Sequence, residues 1–358
     1  LLYLVSAIAS LFIKESMFPT FNFGSHESYY YLIYSLSILF VLWPIVYLKN
    51  YSVGDVGFKS NTLIQMLFFL LSILIIFSWI YQLPYAIKAV GIGALDVRAS
   101  LNVDGEGVLP VSILTTISVA TSSFYVLFCF LFFISNILNF HMYYRIVFFF
   151  GSLLYVVSSL CFTARDGSIF WVLSFIFSYV LFKNELRIDQ KKKIRKVIVV
   201  GSVLATLFVG VFTFQRFIND SNLDRVIVGT VGYIGQQPYV FSETIVQQKQ
   251  FYGLSLRFPV VEKFIEGHNT KIIRTSPYEW TFGTFLKDFY AMYGWSSHII
   301  CILFIFSFFS IMFRLKSQFH PITFVLILGL YFQFISTGVF YFRLGTRSGN
   351  IYLLLYTL

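Results

Sequence analysis

Charge is what this sequence lacks most. Asp, Glu, Lys and Arg make up only 12% of the 358 residues, about half the share of a soluble domain, which excludes an ordinary water-soluble globular fold. Cysteine is scarce too: Cys129, Cys161 and Cys301 fall in or at the edge of apolar runs, and none lies in a polar loop. Neither a structural disulfide nor a cysteine-based metal site is expected. A phosphate-cradling loop of the G-x-x-x-x-G-K-S/T kind is also missing, and no nucleotide or other cofactor is expected.

What is present is hydrophobic: 58% of the chain, with 21% aromatic residues and 45 phenylalanines. Apolar runs recur along the whole length, so one signal peptide or anchor cannot account for them, and an all-α polytopic integral membrane protein is predicted. A helix needs about 20 apolar residues to cross roughly 30 Å of hydrocarbon. On that scale ten spans are expected, at 1–13, 29–48, 62–83, 111–136, 146–163, 168–182, 197–215, 295–313, 321–340 and 350–358. Leu1 and Leu358 lie inside apolar runs, so the first and last spans are expected to be parts of longer ones.

The densest basic run, KNELRIDQKKKIRK at 183–196, sets the orientation, because cytoplasmic loops collect Lys and Arg. The inside loops are then 49–61, 137–145, 183–196 and 314–320, and the outside loops 14–28, 84–110, 164–167, 216–294 and 341–349. Twelve basic residues fall inside against three acids, Asp55, Glu185 and Asp189, while the other thirteen acids fall outside. The net charge of +10 is therefore explained by membrane topology, and nucleic acid is not an expected partner. The whole chain, 1–358, reads as one transmembrane domain containing one long external loop, 216–294.

No Lys, Arg, Asp or Glu lies within a predicted span, which argues against an ion-coupled transporter. The inside loops are too short to hold a nucleotide-binding domain, so chemistry is expected on the outer face. Loop 216–294 mixes apolar and polar residues with spaced Gly and Pro and lacks the composition of disorder; short helices on the membrane surface are predicted there. The outside loops hold eight arginines, Arg98, Arg165, Arg216, Arg225, Arg257, Arg274, Arg343 and Arg347. Arginine's planar fork grips phosphate or carboxylate through two hydrogen bonds, so an anion such as a lipid-linked diphosphate would suit them. The alternative is that they are solvated or hold lipid headgroups.

Three stretches carry a resemblance. TARDGSIFWVLSFIFSYVLFK at 163–183, the long loop 216–294, and TFGTFLKDFYAMYGW at 281–295 together resemble the O-antigen and related polysaccharide repeat-unit polymerases (Wzy) of bacterial inner membranes, with Tyr290 standing where that family often has glycine. The resemblance implies a metal-independent glycosyltransferase with a lipid-donor, GT-C-like architecture. It would polymerise undecaprenyl-diphosphate-linked repeat units into O-antigen or capsular polysaccharide, a step of lipopolysaccharide and polysaccharide biosynthesis, at the periplasmic side. Its implied partners are the lipid-linked donor and acceptor, membrane lipids, a chain-length regulator and a flippase. A ligase of the same fold and a transporter of lipid-linked sugars are the alternatives.

Glycosyl transfer needs a stabilised diphosphate leaving group and a base for the attacking hydroxyl. Arg165, Arg216, Arg274, Arg343 and Arg347 are the diphosphate candidates; Arg343 and Arg347, four apart, share a face if helical, or simply anchor a span end. Asp288 is the first candidate base, followed by Asp166, Glu279 and His298. Each has a plainer reading: dipole compensation at a helix start for Asp288, a helix cap for Asp166 with Gly167 relieving turn strain, and packing for His298.

Overall fold

A computed structural model describes residues 2–12, 28–48, 62–93, 97, 108–164, 166–217, 231–232, 234–267, 283–340, 342–345, 349–350 and 353. Among these residues all the regular structure is helical, with no strand. The helices are α1 (Leu2–Ser10), α2 (Ser28–Leu42, continued by a 3-10 turn to Leu48), α3 (Thr62–Ile92), α4 (Ile113–Ser122), α5 (Tyr125–Ile137), α6 (Met142–Cys161), α7 (Asp166–Phe182), α8 (Ile188–Phe217), α9 (Gln237–Gln247), α10 (Pro259–Glu266), α11 (Phe285–Tyr293), α12 (Trp295–Arg314) and α13 (Pro321–Thr337).

The expected count of ten spans is not met among the described residues. Five helices are long and apolar enough to cross a membrane, Ser28–Leu48, Ile64–Ile92, Met142–Cys161, Ile188–Val211 and Trp295–Arg314, and α4 with α5 makes a sixth if that bent pair is one span. Helices α7 and α13 are shorter, at 17 residues each, and α1 has 9. Of 350–358, only Asn350 and Leu353 are described. Helix α3 runs on to Ile92, past Pro84 and past the expected end at residue 83.

The expected span at 111–136 is bent by 54° between α4 and α5. The sequence there is Thr121-Ser122-Ser123, and each hydroxyl turns back on its own helix: Thr121 donates to the Ile117 carbonyl at 2.8 Å, and Ser122 and Ser123 both donate to that of Val119, at 2.7 and 3.3 Å. Such back-bonding competes with the helical ladder and bends it.

The chain divides into two compact units, one of Leu1–Lys49, Asp220–Lys316 and Gln333–Leu358, the other of Asn50–Asn219 and Ser317–Phe332. In the second, an aromatic core forms where α3, α5 and α6 meet: Phe68, Phe128 and Phe148 are fully buried, and the Phe68 and Phe148 rings cross edge to face at 4.9 Å. Apolar and aromatic contact of this kind replaces the hydrophobic effect as the glue between helices in lipid.

Segments that the charge pattern assigns to one face meet one another within each unit. At the basic end of the second unit, Arg187 donates to the Asn139 side chain at 3.2 Å and Gln190 to the Asn136 carbonyl at 2.9 Å. In the first unit, Arg314 lies over the Tyr47 ring at 4.5 Å and Lys316 donates to the Tyr47 carbonyl at 3.1 Å.

Candidate functional site

In the first unit the amphipathic helix α11 carries most of the stretch TFGTFLKDFYAMYGW. Thr284 caps it, its hydroxyl accepting from the Leu286 N–H at 3.3 Å. It ends at Gly294, whose φ of 69° lets the chain turn directly into the span α12. This places Asp288 in the first turn of α11, next to the buried Lys287.

Asp288 is 2% exposed, and both its oxygens are engaged. Oδ1 accepts from Nη2 of Arg257 at 2.5 Å, and Oδ2 from the Phe342 backbone N–H at 2.9 Å. Asn350 extends the cluster: its Nδ2 donates to the carbonyls of Arg257 at 2.9 Å and Leu344 at 2.7 Å, and its Oδ1 accepts from the Val260 N–H at 3.3 Å. Residues 253–266, 285–293, 342–345 and Asn350 are thus tied together, and the charge pattern puts all of them on or beside the outer face. The Arg257 side chain is 17% exposed, and its Nε has no hydrogen-bond partner among the described residues.

A second polar cluster sits on α9, which the sequence analysis did not single out. Glu243 is fully buried and accepts a hydrogen bond from Gln247, while Ser6 donates to the buried Gln237 at 2.9 Å. The rings of Tyr31 and Tyr34 on α2 pack on Tyr239 and Phe241 at 5.5 and 5.7 Å. Burial raises the Tyr239 phenol above its ordinary pKa. The signal in QQPYVFSET at 236–244 was Pro238 in the first helical turn, which marks a helix but not its burial.

His298 lies one turn inside α12 and is buried, with Nε2 3.1 Å from the Ser37 hydroxyl. Phe241 and Trp295 flank its ring at 5.5 and 5.7 Å. This setting fits the packing reading, a histidine bonded to a neighbouring helix and walled by aromatics.

Asp166, in the second unit, is the first residue of α7, and its Oδ2 accepts from the Tyr155 hydroxyl at 2.5 Å. Gly167 does not relieve turn strain as expected. Among the described residues of that turn the left-handed one is Thr163, with φ 48°, while a Cβ on Gly167 would lie 2.1 Å from Ser159 Oγ and 2.9 Å from the Tyr155 carbonyl oxygen. Gly167 is there because α6 and α7 touch.

Arg165, Arg274, Arg347 and Glu279 lie outside the described residues. Arg216 falls in the last turn of α8, one residue past the expected end of its span, and Arg343 starts a 3-10 turn; for both, the backbone alone is described. No protein-family model matches the chain, and no curated protein or solved structure is significantly similar to it.

Proposed function

We propose that this protein is a membrane glycosyltransferase that joins undecaprenyl-diphosphate-linked oligosaccharide repeat units into O-antigen or capsular polysaccharide at the external face of the bacterial cytoplasmic membrane. The observation that carries the reading is the cluster around Asp288 and Arg257. There the stretch that resembles the polymerases is held as an ordered helix against an arginine of the long loop and the segment after α13.

In the proposed reaction an acceptor hydroxyl attacks the anomeric carbon of the donor sugar, the bond from that carbon to the diphosphate oxygen breaks, and the diphosphate leaves on its lipid. Arg165, Arg216, Arg274, Arg343 and Arg347 are assigned to the leaving diphosphate. Within the first unit Arg257 is a further candidate, its guanidinium held by Asp288 and its Nε without a hydrogen-bond partner among the described residues. With both oxygens engaged, Asp288 positions that arginine, and the hydroxyl proton goes to another carboxylate, for which Glu243, buried on the external-loop helix α9, is added to the candidates. Asp166 and Glu279 remain second choices.

The test is to reconstitute the purified protein in liposomes with radiolabelled undecaprenyl-diphosphate repeat units. A ladder of lengthening products supports the proposal. A single transfer onto lipid A identifies a ligase, and movement of label across the bilayer with no new glycosidic bond identifies a transporter.

A further inference from the structure

The second unit contains a groove of about 800 Å³ between α6, α7 and α8 that no part of the proposed reaction uses. Its α8 wall is one helical stripe: Lys193, Lys196, Val200, Leu204 and Phe208 recur at steps of three or four. Phe149, Leu153 and Val156 of α6 face it with the same spacing, and Trp171 of α7 forms the floor. The stripe runs about 22 Å from Lys193 to Phe208 at 1.5 Å per residue, longer than one leaflet of a roughly 30 Å hydrocarbon core.

Two features make this a shaped site. Trp171 is 7% exposed, and its indole N–H donates to the Ser152 hydroxyl at 3.0 Å, which fixes the ring. A Cβ on Gly201 would lie 2.7 Å from Cζ3 of that ring, so α8 crosses the indole only because residue 201 has no side chain. The helix that forms this wall is little covered by the rest of the protein: 11% of its most apolar stretch is buried.

The wall changes character only at one end. Lys193 and Lys196 are exposed, share the stripe, and make no hydrogen bond or ion pair among the described residues. They sit within the basic run that sets the chain's orientation. Lysine stems lie along apolar surface while their ammonium groups reach the interface, and basic pockets between spanning helices hold anionic headgroups.

We infer that this groove binds a diacyl phospholipid with an anionic phosphoglycerol headgroup, one acyl chain lying along Gly201 and Trp171 and the phosphate between Lys193 and Lys196. The inference rests on the groove alone and stands whether or not the protein is a polymerase.

Bromine on an acyl chain quenches tryptophan on contact, so the test uses the full chain in phosphatidylcholine bilayers with brominated phosphatidylglycerol or brominated phosphatidylcholine. The Trp171 signal is taken as the difference from Trp171→Phe. Phosphatidylglycerol should quench it at a concentration roughly ten- to thirtyfold lower than phosphatidylcholine, on the scale of two lysines near a membrane surface, and K193Q/K196Q should erase that preference. Both lysines are exposed, so the double variant keeps the fold. Equal quenching by the two lipids, or a preference that survives K193Q/K196Q, overturns the assignment. So does relief of quenching by unlabelled undecaprenyl phosphate but not by unlabelled phosphatidylglycerol, which would give the groove to an isoprenoid carrier.

Discussion

Nη2 of Arg257 and Oδ1 of Asp288 meet at 2.5 Å across 31 positions of sequence. The other carboxylate oxygen holds the Phe342 N–H, so one side chain fastens three separate segments. With both oxygens occupied by Arg257 and the Phe342 N–H, this carboxylate has its acceptor positions committed to holding the fold together. Its effect is to present the arginine.

Asp288→Ala should therefore destabilise the protein. It removes two hydrogen bonds and leaves Arg257 without its counter-charge, an effect of about 2–3 kcal/mol once the partial exposure of the arginine is taken into account. Asp288→Asn keeps the shape and an acceptor and should lose less. Thermal denaturation in detergent checks both; equal stability of Asp288→Ala and wild type would show that the pair does not hold the segments.

Glu243→Gln separates chemistry from folding. The amide retains the volume and can still accept from Gln247, so the melting temperature should shift little while polymer synthesis falls roughly a hundredfold or more, as for loss of a general base. Polymer ladders from cells, scored against the amount of folded protein, decide it. Unchanged ladders would remove Glu243 from the proposed reaction.

His298 should behave in the opposite way. On the packing reading, with its bond to Ser37 and its aromatic neighbours, His298→Ala is expected to lower stability by about 2 kcal/mol or more and to leave activity per folded molecule unchanged; a loss of activity per folded molecule would make it a catalytic group instead. Ser37→Ala, which removes only the hydrogen bond, should cost about 1 kcal/mol.

The helical class and the sorting of charge were legible because both follow from composition along the chain. Lys and Arg density groups 137–145 with 183–196, and 314–320 with the end of 29–48, and Arg187 with Asn139, and Lys316 with Tyr47, are in contact. The span count was less legible: apolar length alone reads 111–136 as one helix, while three hydroxyls in a row bend it, and it ends α3 too early because Pro84 does not stop that helix. The Arg257–Asp288 pair was invisible, since nothing local links positions 31 apart. Glu243 was missed because QQPYVFSETIVQQ reads as a polar surface helix, and its burial is imposed by α2 through Tyr31 and Tyr34.

Gly167 gives a test of helix contact. Its missing Cβ is what allows α7 to lie on Ser159 and the Tyr155 carbonyl. Gly167→Ala should cost about 1–3 kcal/mol by overpacking, visible as a lower melting temperature, and Ser159→Gly in the same chain should recover part of it. If turn strain were the reason for the glycine, the second substitution would give no recovery.

The sidedness of the chain rests on the basic run at 183–196, and single cysteines can test it directly. With Cys129, Cys161 and Cys301 replaced by serine or alanine, a cysteine at Lys192 should resist a membrane-impermeant maleimide in intact cells and react once they are opened. One at Glu266, which is exposed at the end of α10, should react in intact cells, because the long loop faces outward in the charge-based topology. The two positions lie on either side of the apolar stretch of α8, so an inverted chain would reverse both results together. If both sites reacted alike, α8 would not cross the membrane, and the external assignment of Arg257, Asp288 and Glu243 would fall with it.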